Sequence, residues 1–254
     1  MSKIGLKLWS INTDYYYEEA KRLYRDGWFD YIELYVAPDT LDSLEKWKTL
    51  NIPINIHCAH FAHEFNLAKE EYKEKNSYIY LQAKRFADEL NSQYIVFHGG
   101  LEGHIEQTAK QLKFFNDSRA LIENKPYKAF PNKMGGKVCR GASIEEIKYI
   151  LDEVKCGFCF DIGHALCAAD SFKINRYEYV KSFNELNPVC YHLSDNYIGN
   201  ELDRHLHLGC GNYDFKTILN IVDKNKYIAL ETNKDSKENL NDFKKDVECL
   251  KNYL

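Results

Sequence analysis

Short apolar runs alternate along this chain with longer stretches in which apolar residues return every three or four positions. The runs cover 4–9, 31–36, 53–57, 94–98, 120–123, 158–161, 189–193 and 227–231. Four to six apolar residues closed by a turn residue read as a buried strand. Between them the helical spacing predicts helices over about 15–25, 39–50, 69–90, 104–115, 143–154, 175–186, 214–222 and 237–253. Local signals support several boundaries: Asp14 stands as a cap and Gly27 as a stop for the first helix, and Ser143-Ile-Glu-Glu146 matches a capping box.

Eight strands each followed by a helix imply a parallel sheet, and eight such units in 254 residues imply one closed barrel. The expected fold is α/β, a single (β/α)8 TIM barrel forming one domain over 1–254, with no linker, repeat or low-complexity segment. Two connections are too long for plain turns. The first, 124–142, carries Pro126, Pro131 and Gly135-Gly136 and is expected to cover a site; the second spans 194–212.

Composition changes this picture little. Hydrophobic residues make up 44% and charged residues 28% of the chain, which is ordinary for a globular protein and excludes disordered or fibrous classes. A net charge of −4 gives no basic footprint for nucleic acid or an anionic membrane. No apolar run approaches the roughly 18–20 residues that span a bilayer, and Met1-Ser2-Lys3-Ile4-Gly5 leads into strand-like sequence without a signal-peptide core, so a cytoplasmic location is expected. The 8 cysteines are too sparse for a disulfide scaffold. Cys156 and Cys159 form a CxxC without a second half-site and are read as small buried hydrophobes.

The chemistry gathers at strand ends. Strands three to eight finish on His57, His98, Glu123, Asp161, His192 and Glu231, and in a barrel all these ends converge on the face that carries active sites. His164 follows Asp161 by one turn, and Asp203 and His205 lie in the loop after strand seven. Nine nitrogen and oxygen donors around one mouth repel or stay unpaired without a cation among them, and the mixture suits zinc or manganese better than calcium. His60 and His63 are candidates for substrate contact or simple solvation, Phe61 for an apolar wedge, and Arg204 for holding a phosphate or carboxylate or, equally, for pairing with a neighbouring carboxylate of the chain. His104 is expected to start a helix, and His207, between Leu206 and Leu208, to be structural.

The ladder of Ile56-His57, Val96-Phe-His98-Gly-Gly100, Ile122-Glu123-Asn124, Asp161-Ile-Gly-His164, His192-Leu-Ser-Asp195, Asp203-Arg-His205 with Leu208-Gly-Cys-Gly211, and Leu230-Glu231-Thr232 resembles the superfamily of xylose-isomerase-like barrels that includes endonuclease IV. In the endonuclease branch the resemblance implies three zinc ions. His57 and His98 would hold the first, Glu123 would bridge it to a second completed by Asp161, His192 and Glu231, and His164, Asp203 and His205 would hold the third. In the sugar isomerase and epimerase branch it implies one manganese-like ion on Glu123, Asp161, His192 and Glu231. There the two glutamates would carry the proton and His164 would touch substrate.

Two functional readings lead, ahead of a third in which the barrel keeps its metals but serves as a binding or regulatory subunit. The first is a metal-dependent sugar or sugar-phosphate isomerase or epimerase, with Glu123 and Glu231 catalytic, one to three Zn2+ or Mn2+ ions, and His164, Arg204, His60 and Phe61 as substrate contacts. The second is a zinc-dependent abasic-site endonuclease or phosphodiesterase, the one case in which nucleic acid would be a partner. Phe29-Asp-Tyr-Ile-Glu33-Leu34 looks like the Asp-x-x-Glu-Leu lead-in to strand two of sugar isomerases. Ala37-Pro-Asp-Thr40, where the nuclease would carry a DNA-reading loop, has no basic or intercalating residue. No membrane partner is expected, and the sequence does not specify an oligomeric state.

Overall fold

The structure, a computed structural model, describes residues 2–253. Eight strands, β1 (Lys3–Trp9), β2 (Tyr31–Tyr35), β3 (Ile54–His57), β4 (Ile95–His98), β5 (Ala120–Glu123), β6 (Gly157–Asp161), β7 (Cys190–Leu193) and β8 (Tyr227–Leu230), pair in chain order into a closed barrel. Every pairing is parallel, and β1 closes on β8 from Lys3↔Tyr227 to Leu6↔Leu230. The expected single (β/α)8 barrel is therefore the observed fold.

Period-two alternation divides the strands between two buried regions. One set (Leu6, Leu8, Ile32, Leu34, Ile56, Phe97, Ile122, Phe160, Leu230) packs with the helices in the main core. The other faces inward, beginning with a layer where Tyr31, Tyr94, Val96, Leu121, Cys159, Cys190 and Ala229 cluster. Tyr227 meets Tyr31 and Tyr94 edge-on at 5.1 and 5.8 Å. Gly5 makes room for that layer, since a Cβ there would lie 2.4 Å from the Tyr31 ring. Nearer the carboxyl ends the inward residues turn polar: Lys7 and Glu33, then the histidines and carboxylates.

The surrounding helices are α1 (Thr13–Arg25), α2 (Leu44–Lys48), α3 (Lys73–Glu89), α4 (Ile105–Phe115), α5 (Ile144–Val154), α6 (Ile162–Phe172), α7 (Arg176–Asn184), α8 (Phe215–Ile221) and α9 (Asn241–Lys251). Four expectations need correction. Helix α6 is absent from the sequence reading; its residues 162–169 are all buried, so it has no polar face to create a helical period. Asp14 does not cap α1. Asn12 holds that position, while Asp14 sits in the first turn and accepts from Lys46 Nζ at 2.7 Å. Helix α2 shrinks to five residues behind a 3-10 turn at Leu41–Ser43, and α9 begins at Asn241 rather than 237. At α5, Ser143 accepts from the Glu146 N–H as the capping box requires, but the Glu146 carboxylate turns back to the Gly141 N–H and Arg140. No helix among the described residues is long and apolar enough to cross a membrane.

Candidate metal centre

Glu123, the last residue of β5 and fully buried, is the hub of the barrel mouth. Its Oε2 lies 3.0 Å from both His57 Nε2 and His98 Nε2, at the ends of β3 and β4. Its Oε1 lies 2.9 Å from His164 Nδ1 and 3.1 Å from Lys125 Nζ. His57 Nδ1 donates to the Cys58 carbonyl at 2.7 Å, which fixes the tautomer and turns the Nε2 lone pair toward Glu123. Burial lowers the pKa of His57 and lowers that of His98 further still. Neutral imidazoles thus face a carboxylate at a distance that suits a shared cation.

Asp161 ends β6 and caps α6 in one step. Its Oδ1 accepts from the His164 N–H at 2.7 Å, satisfying one of the helix's open donors. That cap places His164 over the mouth. Asn124 locks the two strand ends together, donating from Nδ2 to the Asp161 carbonyl and accepting the Asp161 N–H at Oδ1, both at 2.8 Å. Burial pushes the Asp161 carboxyl up to about 6, against the pull of His164. Burial works against a charged His164, yet Asp161, Asp203 and Glu123 outweigh it and push its pKa up to about 10. The acids here favour a positive charge at this point of the mouth.

His192 on β7 is held from behind. Its Nε2 lies 2.7 Å from Glu33 Oε1, and Glu33 also takes Lys7 Nζ at 2.7 Å and the Tyr94 hydroxyl at 2.9 Å. All of Lys7, Glu33 and His192 are fully buried. Burial opposes ionisation of Glu33, but His192 and Lys7 hold its pKa down at about 2. A carboxylate behind an imidazole in this manner orients the ring and raises its basicity as a ligand. The other nitrogen, Nδ1, points into the mouth, 2.7 Å from Glu231 Oε2, 3.7 Å from Glu123 Oε2 and 3.9 Å from Asp161 Oδ2.

The β7–α8 loop is built around buried Asp195. Its carboxylate accepts from the Gly209, Gly211, Asn196 and Tyr213 N–H groups at 2.8–3.2 Å. A side chain at Gly211 would meet the Asn196 carbonyl at 2.2 Å. So folded, the loop places Asp203 Oδ2 3.2 Å from His164 Nε2 and 3.5 Å from His205 Nδ1.

Donor geometry fits divalent cations. Ligand atoms within 4.8 Å of one another form the groups His57/His98/Glu123, Glu123/Asp161/His192/Glu231 and His164/Asp203/His205, so the structure brings together all nine of the expected donors. Six of their buried atoms, His98 Nδ1, Asp161 Oδ2, His192 Nδ1, Asp203 Oδ2, His205 Nδ1 and Glu231 Oε2, make no well-aligned hydrogen bond, although Glu231 Oε2 lies 2.7 Å from His192 Nδ1 and Asp203 Oδ2 3.2 Å from His164 Nε2. Buried polar atoms are nearly always paired, and carboxylate and imidazole donors gathered this closely are a set that could hold a divalent cation.

Above the donors lies a cavity of about 510 Å3, walled by Trp9, Tyr35, Phe61, Phe130 and the 124–142 connection, with His98, His164, Asp203, His205 and Glu231 along its lining. The connection folds over the mouth through bridges Leu101↔Cys139 and Lys128↔Val138. His60 lines the same cavity, stacked on His98 at 4.9 Å with its own Nδ1 accepting the Ala62 N–H. Glu123 does not line it and lies one layer deeper. His63 hydrogen-bonds the Tyr35 hydroxyl at 2.8 Å, His104 holds the N-cap position of α4, and His207 is fixed between Asp246 and Asp235 at 2.9 and 3.2 Å. Arg204 is exposed and does not line the cavity, whereas Asp203 and His205 on either side of it do.

Sequence reasoning missed Lys125, Lys7 and Glu33 as members of the centre. Lys125 enters the cavity itself, with Nζ 3.3 Å from His98 Nε2 and 3.2 Å from His164 Nε2. Among the cysteines, all of them free, Cys159 is buried with Sγ 3.3 Å from His192 Nε2, and Cys156 is half-buried. Burial raises both thiols, as expected of packing residues rather than nucleophiles.

A closed parallel barrel with a donor-lined mouth is the class that fold and site define. Within it, the chain belongs to the xylose isomerase-like TIM-barrel family, whose model matches residues 21–253. Over 205 residues it is 25% identical to the probable endonuclease 4 of Aquifex aeolicus, covering 73% of this chain and 71% of that protein. Its fold is similar to that of a D-tagatose 3-epimerase-like protein, with a TM-score of 0.73 and 21% identity over 99% of this chain and 96% of the other. It is also similar to that of endonuclease IV from Thermus thermophilus, with a TM-score of 0.69 and 19% identity over 99% and 98%.

Proposed function

We propose that this protein is a divalent-metal-dependent isomerase or epimerase of sugars or sugar phosphates. The observation that carries the reading is the cavity: about 510 Å3, within the roughly 300–1,000 Å3 of small-molecule sites, with an aromatic wall and a metal-binding floor. The 124–142 connection makes the mouth a walled pocket. The loop after β2, where a nuclease would read DNA, offers no basic or intercalating side chain.

Zinc or manganese on Glu123, Asp161, His192 and Glu231 would supply Lewis acidity toward a hydroxy-carbonyl. The chain's own residues carry the proton. Glu231 opens onto the cavity with Oε2 2.7 Å from His192 Nδ1 and takes the proton from the carbon next to the carbonyl, leaving the electron pair in an enediolate. Glu123 is the second carboxylate of the pair, and its way to substrate runs past Lys125 and His164, the two N–H groups on its Oε1. Return of the proton to the neighbouring carbon gives the isomer; return to the opposite face of the same carbon gives the epimer. His164, His60 and Phe61 contact the substrate's hydroxyls and carbon skeleton.

Metal-loaded protein incubated with a panel of ketoses, aldoses and their phosphates should interconvert at least one pair, as read by NMR. A second reading, an abasic-site endonuclease in the cytoplasm's DNA-repair machinery, is favoured by the complete set of nine donors and by the relative named above. Nicking of an abasic duplex without any sugar turnover would establish it and overturn the first.

A further inference from the structure

Lys125 is an unusual occupant of a cation site. The side chain is only 8% exposed, and its Nζ lies 3.1 Å from Glu123 Oε1, 3.3 Å from His98 Nε2 and 3.2 Å from His164 Nε2. These last two are gripping atoms of two different donor groups. His98 Nε2 also faces Glu123 Oε2 at 3.0 Å, within the His57/His98/Glu123 group. His164 Nε2 faces Asp203 Oδ2 at 3.2 Å, within the His164/Asp203/His205 group. We propose that Lys125 is a built-in cation that takes the place of metal at both of these groups, so that the centre binds one ion, in the quartet Glu123/Asp161/His192/Glu231.

Geometry at the quartet completes the case. Asp161 Oδ2 is buried without a hydrogen-bond partner, and His192 Nδ1 and Glu231 Oε2 face each other at 2.7 Å; of the four, Glu123 alone is hydrogen-bonded to the ammonium, through Oε1, which leaves its Oε2 on the side of His192. An ion 2.0–2.1 Å from an imidazole nitrogen at either of the other groups would sit against Nζ, with like charges in contact. Asp203 Oδ2 and His205 Nδ1 make no well-aligned hydrogen bond, but the third member of their group, His164 Nε2, is covered by the lysine. The lysine is held there by its own chain. Pro126 follows it, and the connection is pinned by the Gly141 carbonyl accepting the Lys125 N–H at 3.0 Å and by the bridge at Cys139. A single ion is also what the proposed isomerase chemistry needs, and the inference rests on the metal-binding part of that reading.

The test is a count of ions. Protein stripped by chelation is titrated with Zn2+ and separately with Mn2+, freed of unbound ion and measured by elemental analysis, with folding checked by circular dichroism. Wild type should saturate at one ion per chain, Lys125→Met and Lys125→Thr at two or more, and Lys125→Arg, which keeps the charge, at one. Saturation of the wild type at three ions, or a count of one in folded Lys125→Thr or Lys125→Met, would overturn the proposal. No substrate enters the measurement. A count that responds to Lys125 in a protein without sugar turnover would sink the isomerase reading alone, and an unresponsive count in an active isomerase would sink only the role of Lys125.

Discussion

Glu33 lies outside the ring of proposed ligands, and replacing it with glutamine tests whether the buried layer beneath that ring controls it. The carboxylate accepts from Lys7 and His192 through Oε1 and from Tyr94 through Oε2. Glu33→Gln preserves shape and keeps an acceptor oxygen toward Lys7 and His192. It removes the negative charge that stands between them. Loss of a carboxylate partner behind a ligating imidazole typically weakens metal binding about 10–100-fold, or roughly 1.4–2.8 kcal/mol. Removing one member of a buried ion pair costs about 3–5 kcal/mol when the other charge is stranded. Lys7 is not fully stranded, because Glu231 Oε1 remains 3.4 Å away, so a loss nearer to about 2–3 kcal/mol is expected. For a chain this long that lowers the melting temperature by roughly 4–12 °C. Competition with a chromophoric chelator measures the zinc affinity, and thermal unfolding of the stripped protein measures the stability. An affinity within twofold of wild type would refute the claim that Glu33 acts through His192, and an unchanged melting temperature would refute the account of the Lys7 pair.

Chelation should lower the melting temperature of the loaded protein and re-addition should restore it: at free ion about 100 times the dissociation constant the linkage is about 2.7 kcal/mol, and a melting curve insensitive to chelator would exclude a bound ion in the native state. Glu231→Ala should cut turnover by about 10²–10⁴-fold, with the fold intact by circular dichroism; retention of wild-type kcat would remove Glu231 from the chemistry. Gly99→Ala puts a Cβ 2.4 Å from the Arg140 carbonyl, so it should cost about 1–3 kcal/mol and raise KM by displacing the connection over the cavity, and unchanged urea unfolding would show that this contact is soft. Hydrogen bonds from Arg119 outweigh burial and hold the Asp117 pKa below its usual value. Its stabilisation is therefore present above the usual carboxylate range and lost as pH falls through it, and Asp117→Asn should flatten that part of the stability curve against acid.

The barrel and the clustering of the nine donors at its mouth were legible because both rest on local pattern. Strand length, the alternation of strands with helices and the polar residue closing each strand are written within a few positions of one another, and barrel closure does the rest. Helix α6 was not legible, since a helix buried on all sides has no polar stripe. Lys125 was hidden for a different reason. A lysine at the start of a long loop reads as solvated, and its burial arises only when residues 126–139 fold back across β4. Glu33 and Lys7 belong to the inward face of strands whose register, Lys7↔Glu33, no single strand reveals.

Incorporation of deuterium from solvent tests the central claim most directly. Metal-loaded protein, incubated in D2O with the sugar and sugar-phosphate panel, should place one deuterium on the carbon next to the carbonyl of its substrate, and Glu231→Ala should abolish the exchange. Absence of deuterium from every sugar tested, in a preparation that nicks an abasic duplex, would contradict the account.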